Sequence, residues 1–242
     1  MNLGLPPNKH FDQDIKVFEE KLRNKEPFSF SKFADGEWAV MMDKDLNNRE
    51  FWFKEGKEFS DARDRLIESF QYKNPHYHVG ISCPCCQGEL THLEMKVFSG
   101  QPDERLTWAN LWVNSNYQYY LDNIVPLFND YNVALVAHEN SVVSRLPFEP
   151  KIFCTVTNNA WIASHHKLER MIKIIDEDQM EGWLFLFCCG PFGNILCHRF
   201  TEHNDKNTYL DIGSTLNPFL KTEGFKRGYF SKHKSMTPCM WG

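Results

Sequence analysis

Short apolar runs separated by amphipathic stretches are the feature that most narrows the folds open to this chain. Asn132–Ala137 (NVALVA), Ile152–Val156 and Trp183–Phe187 are apolar on consecutive positions rather than alternate ones. A strand with one wet face would alternate polar and apolar residues, so these runs predict strands buried on both faces. Between them, Asp12–Arg23 carries Ile15, Phe18 and Leu22 at helical spacing, and Phe59–Tyr72 carries Leu66, Ile67 and Phe70. Ala160–Asp176 and Gly190–Phe200 are also expected to be helical, as is Asn116–Phe128 until Pro126 disturbs it. Further strands are expected at Phe28–Phe33, His78–Ser82 and Thr208–Ile212. Strands alternating with helices predict an α/β domain with a mostly parallel sheet covered by helices on both faces.

The 242 residues, 42% of them hydrophobic, suffice for one generous domain, and 20 Phe, 8 Tyr and 7 Trp give it core volume that disordered chains lack. A single domain over 1–220 is expected, followed by a basic and aromatic tail at 221–242. With 27 basic against 32 acidic residues, the net charge of −5 provides no global attraction to nucleic acid or an anionic membrane. The apolar runs are too short to span a bilayer. The opening MNLGLPPNKHFDQD lacks a basic region followed by an apolar one, so a cytoplasmic location is expected, host cytoplasm if the source is viral. The 8 cysteines include the neighbours Cys85-Cys86 and Cys188-Cys189, which fits reduced thiols better than a disulfide framework.

In parallel sheets ligands bind beyond the carboxyl ends of the strands, which selects 34–38, 83–89, 138–145, 157–161, 188–194 and 211–217 for inspection. Phe28–Trp38 (FSFSKFADGEW) runs a strand into Asp35-Gly36-Glu37. Two carboxylates flanking a glycine can converge at the sheet mouth and hold Mg²⁺ or Mn²⁺; equally, Asp35 can be the N-cap of a helix beginning near Trp38. Phe185–Asn194 (FLFCCGPFGN) ends an apolar strand in a Gly-Pro-x-Gly turn whose backbone N–H groups could accept phosphate oxygens. It is neither a Walker A loop nor a GxGxxG fingerprint. Asp211-Ile212-Gly213-Ser214 brings an acid and a hydroxyl to another strand end. Glu139, with Ser144 and Arg145 nearby, follows NVALVA, and Arg145 could fork onto a phosphate or pair with Glu139 or Glu149. Asn158 and Asn159 could contact a base or sugar, or cap the following helix.

Two further segments carry chemistry-bearing residues. His76, His78, Cys83, Cys85, Cys86 and His92 are zinc-ligand types without standard zinc spacing, so packed, reduced thiols are the ordinary reading. Lys221–Lys234 interleaves Lys221, Lys226, Arg227, Lys232 and Lys234 with Phe225, Tyr229 and Phe230, a pattern that fits a solvated tail or a grip on an anionic polymer.

The order of these segments is more specific than any one of them. KFADGE, VALVAHENSVVSRLPF, TVTNNAW, FLFCCGPFGNILCHRF and YLDIGS, across roughly residues 26–220, resemble the GT-D glycosyltransferases, a family long filed as a bacterial domain of unknown function. The resemblance implies a Rossmann-like α/β fold, a nucleoside diphosphate sugar as donor and a divalent cation, Mn²⁺ or Mg²⁺. It implies catalytic roles for Asp35, Glu37 and Asp211, with Asp35 and Glu37 facing the metal. Donor contacts would come from Lys32, Gly36, Glu139, Ser144, Arg145, Asn158, Asn159, Gly190, Pro191, Gly193, Gly213 and Ser214. The chain departs from the family in having Lys32 where Arg is common, Ser214 where many members have His, and Leu216, Asn217 and Phe219 where acids often follow. The implied reaction transfers a hexosyl or pentosyl group to a hydroxyl of a glycan, a glycoprotein or a hydroxylated DNA base. Two other classes compete with it. One is a non-catalytic nucleotide- or polymer-binding module. The other is a phosphoester hydrolase combining the Asp-Gly-Glu carboxylates with the Cys/His cluster.

Overall fold

A computed structural model describes residues 11–47, 51–56 and 59–221; the basic and aromatic tail expected at 221–242 lies, beyond Lys221, outside the described residues. The chain opens with α1 (Phe11–Arg23) and β1 (Ser29–Lys32), then α2 (Asp35–Met41) and a small antiparallel hairpin of β2 (Leu46–Asn47) and β3 (Trp52–Phe53). After α3 (Ser60–Gln71) come β4 (Tyr77–Ile81), α4 (Pro84–Gln87), α5 (Glu89–Ser99) and β5 (Leu106–Trp108). A helical stretch containing α6 (Tyr117–Tyr119) leads to β6 (Val133–His138) and β7 (Ile152–Val156). The remainder is α7 (Ala160–Ala163), α8 (His166–Glu177), β8 (Leu184–Cys188), α9 (Pro191–His203), β9 (Thr208–Asp211) and α10 (Asn217–Leu220).

Seven strands form one sheet in the order β5-β4-β1-β9-β8-β6-β7, and every pairing in it is parallel. Strand periodicity distributes the apolar runs between two cores. Ala134, Val136, Phe185, Phe187 and Tyr209 pack on the side of α3, α8 and α9. Val133, Leu135, Leu184, Leu186 and Leu210 pack on the opposite side with α1 and the 111–131 segment. Both faces of the central strands are therefore dry, which is why their sequences are continuously apolar. Among the described residues no helix is long and apolar enough to cross a membrane.

Several local expectations change. The helix expected over Ala160–Asp176 is two helices, α7 and α8, parted at Ser164 and His165. The stretch around Pro126 stays helical but irregular: one α turn, a π segment at Tyr120–Ile124, then a 3₁₀ segment at Val125–Asp130. Proline has no N–H for an α-type bond, and the tighter winding accommodates it. The N-cap of α2 is Ala34 rather than Asp35. The topology also places a switch point between β8 and β6: the chain leaves β6 outward to β7 but leaves β8 in the other direction to β9.

Candidate functional site

At the carboxyl ends of the central strands, across that switch point, lies an open cleft, the place where ligands bind in sheets of this kind. Its wall includes Lys32 from β1, Glu37 from α2, Phe51 before β3, and His138 at the end of β6. Thr157 after β7, Gly190 at the start of α9, and Gly213 and Ser214 after β9 also line it.

Glu37 reaches this wall because of where α2 begins. Ala34 is extended and offers no capping side chain, so the helix is closed at its start from the third position: Glu37 Oε2 accepts the Ala34 N–H at 3.0 Å. The side chain is only 6% exposed and lines the cleft. Asp35 is exposed and not part of that lining. Two residues along an α-helix are turned roughly 200° apart, so the two carboxylates do not converge as the sequence suggested. As a donor set for Mg²⁺ or Mn²⁺, the cleft presents Glu37. One carboxylate fits such an ion when substrate phosphates and water supply the remaining oxygens.

The β8–α9 turn supplies the opposite wall. Gly190 sits at φ 59°, ψ −144°, backbone space that is essentially glycine's alone, and Pro191 opens the 13-residue α9. A Cβ on Gly190 would stand 3.2 Å from a ring carbon of Phe51, and one on Gly36 would stand 2.9 Å from the far end of that ring. Phe51 is thus wedged between two glycines. Asn194 locks α9 to the end of β1, donating to the Lys32 carbonyl at 2.7 Å and to Ser31 Oγ at 3.1 Å.

Asp211 stands directly behind this turn. A Cβ on Gly193 would lie 3.2 Å from its carboxyl. The side chain is 3% exposed and lies outside the cleft lining; Oδ1 accepts the Gly213 N–H at 3.1 Å, and the Lys32 backbone N–H also donates to the carboxylate. Burial pushes its pKa up to about 7; the Lys32 ammonium opposes this and the Glu37 carboxylate adds to it. Asp211 is therefore placed to organise Lys32 and the Gly213 turn from beneath. Lys32 itself lines the cleft, its Nζ 3.4 Å from where a Gly213 Cβ would be.

Of the other expected site residues, Ser214 also lines the cleft, while Gly36, Pro191 and Gly193 back its walls. Glu139, Ser144, Arg145 and Asn158 are exposed and lie outside the lining. Asn159 is buried at φ 54°, its Oδ1 accepting the Trp52 N–H at 3.0 Å and the Trp161 indole N–H at 2.7 Å. It ties the β2–β3 hairpin to α7. Phe51, His138, Ser141 and Thr157 line the cleft without having been assigned a site role, and Lys221, read as the start of the basic tail, lines it too. His138 and Thr157 stand within or just past strand ends, so the strand-end rule did reach them. His138 Nδ1 accepts the Asn140 N–H at 3.2 Å, which in the neutral ring leaves the proton on Nε2. None of Cys83, Cys85 or Cys86 lines the cleft, so the carboxylate and thiol segments do not form the joint hydrolase centre considered above.

Solved structures share this architecture. One, described as a new glycosyltransferase of the domain of unknown function 1792 from Streptococcus sanguinis, is 16% identical over 83% of this chain and 80% of that one, with a TM-score of 0.54. A second, described as that domain's distinct glycosyltransferase fold, is 14% identical over 83% and 77%, with a TM-score of 0.55. A selenomethionine-substituted structure of the same domain is 13% identical over 83% and 77%, with a TM-score of 0.56. At such identities the likeness shows the fold, and it is the fold that the order of motifs implied. No family model and no curated protein sequence matches the chain.

Proposed function

We propose that this chain is a glycosyltransferase that takes its sugar from a nucleoside diphosphate and passes it to a hydroxyl acceptor with the help of Mg²⁺ or Mn²⁺. The observation that carries this is the placement of Glu37, Lys32 and the start of α9 in one cleft at the switch point of the sheet. The glycosyltransferase descriptions of the structurally similar proteins point the same way.

The donor's diphosphate needs positive charge and directed N–H groups. Lys32 supplies the first, and the N-terminus of α9 supplies its helix dipole and the Phe192 amide, since Pro191 has no N–H and the Gly193 N–H returns to the Gly190 carbonyl at 2.8 Å. Gly190 lets the phosphates approach the backbone without a side chain between. Glu37 would hold a divalent cation whose remaining ligands are phosphate oxygens and water; when bound, that cation offsets the charge growing on the departing diphosphate. Asp211 acts through its neighbours, holding the Lys32 and Gly213 backbone in place. Phe51 gives the cleft an apolar wall against which a base can pack. His138, with its proton on Nε2, offers a donor to a sugar or phosphate oxygen.

The test is donor turnover by Glu37→Gln. The amide carbonyl can still accept the Ala34 N–H, so the fold should hold, while release of the free diphosphate from nucleotide sugars in the presence of Mn²⁺ should fall by about 10²-fold or more. Unaltered release would remove the metal assignment. A panel of nucleotide sugars, with and without Mn²⁺, read by thermal shift, would identify the donor, because a ligand that binds only the native state raises its apparent stability.

A further inference from the structure

A second concentration of ligand atoms stands at the carboxyl end of β4, where none of its members lines the cleft. Cys83 is buried just past the strand, and Cys85 and Cys86 are exposed on α4. The three sulfurs lie within 4.8 Å of one another, the one such group of three His, Cys, Asp or Glu ligands among the described residues. Local structure gathers them. Pro84 starts the single turn of α4, and the N–H groups of Cys86 and Gln87 both return to the Cys83 carbonyl, at 3.2 and 3.0 Å. The turn folds the later thiols back over the first, bringing Cys85 Sγ to 3.1 Å from Cys83 Sγ.

A separate observation is the donor that faces these sulfurs. Asn110, just beyond β5, aims its side-chain amide at two of them: Nδ2 is 3.3 Å from Cys86 Sγ and 3.7 Å from Cys83 Sγ. Donors directed at sulfur favour thiolate over thiol and are the usual outer partners of metal-bound cysteine. His92 does not join the group; its Nδ1 lies 2.9 Å from the Ser82 carbonyl.

We propose that Cys83, Cys85 and Cys86 bind one zinc ion through three thiolates, with a fourth position open to solvent. Three sulfurs at bonds of about 2.3 Å leave room for one further ligand in a tetrahedral shell. Soft thiolates select zinc over the Mg²⁺ or Mn²⁺ that suits the oxygen ligands of the cleft. Binding displaces the protons of the thiols, and the complex of one Zn²⁺ with three thiolates keeps a negative charge that the Asn110 amide offsets. The ion would hold the 83–86 turn closed, with the Asn110 amide joining it to the exit of β5.

The experiment uses the full chain, purified under reducing conditions, stripped by chelator, reloaded with Zn²⁺ and dialysed. Wild type should retain about one zinc per chain by elemental analysis, and Co²⁺ in its place should give thiolate-to-cobalt charge-transfer absorption with tetrahedral visible bands. Cys85→Ser/Cys86→Ser, at exposed positions, should lose both signals while keeping the metal-free protein's circular dichroism. Asn110→Ala should weaken zinc binding by about 10- to 100-fold. Three results would each overturn the assignment: no retained zinc in wild type, equal zinc in the double variant, or loss of two titratable thiols to a disulfide in place of metal uptake.

Discussion

Asp211→Asn converts the burial of one carboxyl into a measurable pH dependence. The acid is 3% exposed, and burial lifts its pKa from 3.8 to about 7 against the opposing pull of Lys32. Between those two values the native state keeps a proton that the unfolded chain has released, so the free energy of unfolding falls as pH rises through that window. Each pH unit inside it is worth about 1.4 kcal/mol. From about pH 5 to about pH 8 the wild type should therefore lose about 3 kcal/mol on this group's account, a large share of a typical stability of about 5–15 kcal/mol. Asparagine has no charge to bury. Its Oδ1 can keep the Gly213 N–H, but its Nδ2 end would meet the Lys32 backbone N–H, a donor against a donor, at a pH-independent cost of about 1–3 kcal/mol. Whatever the sign of the difference at either end, the variant should gain about 3 kcal/mol on wild type between the two pH values. Buried histidines shared by both chains cancel from the comparison. Urea unfolding followed by tryptophan fluorescence, with matching m-values, measures it. Parallel pH profiles for the two proteins would refute the placement of the acid behind Gly193.

Four further outcomes follow from the same geometry. His198 is 6% exposed, with its ring 4.4 Å from that of Tyr72; burial lowers its pKa from 6.5 to about 4, so the folded state resists its protonation. Wild type should lose about 2 kcal/mol on acidification from about pH 7 to about pH 5 through this residue, and His198→Gln should lose correspondingly less in the same urea assay. Gly190→Ala should destabilise by about 1–3 kcal/mol from backbone strain, with a further packing cost against Phe51; a cycle with Phe51→Ala should recover the packing share and leave the strain. Asn159→Ala strands the Trp52 N–H and the buried Trp161 indole, so stability should drop by about 2 kcal/mol in urea unfolding and the tryptophan emission should change. Lys32→Met should weaken nucleoside diphosphate binding in calorimetry, and it should raise the Asp211 pKa above about 7 by removing the cation that holds it down.

Much of the architecture was legible because its physical cause is local. A central parallel strand is dry on both faces, and residues 133–137 and Leu184–Cys188 carry that condition in unbroken apolar runs. Where the cause was not local, the pattern misled or fell silent. The apolar spacing of Trp161, Leu168 and Met171 runs through the break at Ser164, since neither Ser164 nor His165 stops a helix. The helix α5 was missed because Leu90 and Val97 face outward, 70% and 73% exposed, which blurs its amphipathic stripe. Asn159 takes its meaning from Trp52, 107 residues away, and no nearby residue announces that partner.

The site shows the same division with more consequence. The rule that ligands gather beyond strand ends depends on where the backbone goes, and it found Glu37, Gly190, Gly213 and Ser214, whereas Lys32 was named only through the family resemblance. It says nothing about which way a side chain points once it is there, and Glu139, Ser144, Arg145 and Asn158 stand exposed outside the cleft lining. Asp35 and Glu37 isolate the cause. In a strand, residues two apart share a face, and a continued β1 would have presented both carboxylates together. The helix begins at Asp35, with Glu37 bound back to the Ala34 N–H, and that early start turns one acid into the cleft and the other to solvent. The weight of any cation in this arrangement consequently falls on Glu37 and the substrate's own phosphates. Asp35→Asn should then leave Mn²⁺-dependent diphosphate release within about three-fold of wild type while Glu37→Gln abolishes it; equal losses in the two variants would mean that α2 unwinds to bring both acids to the metal.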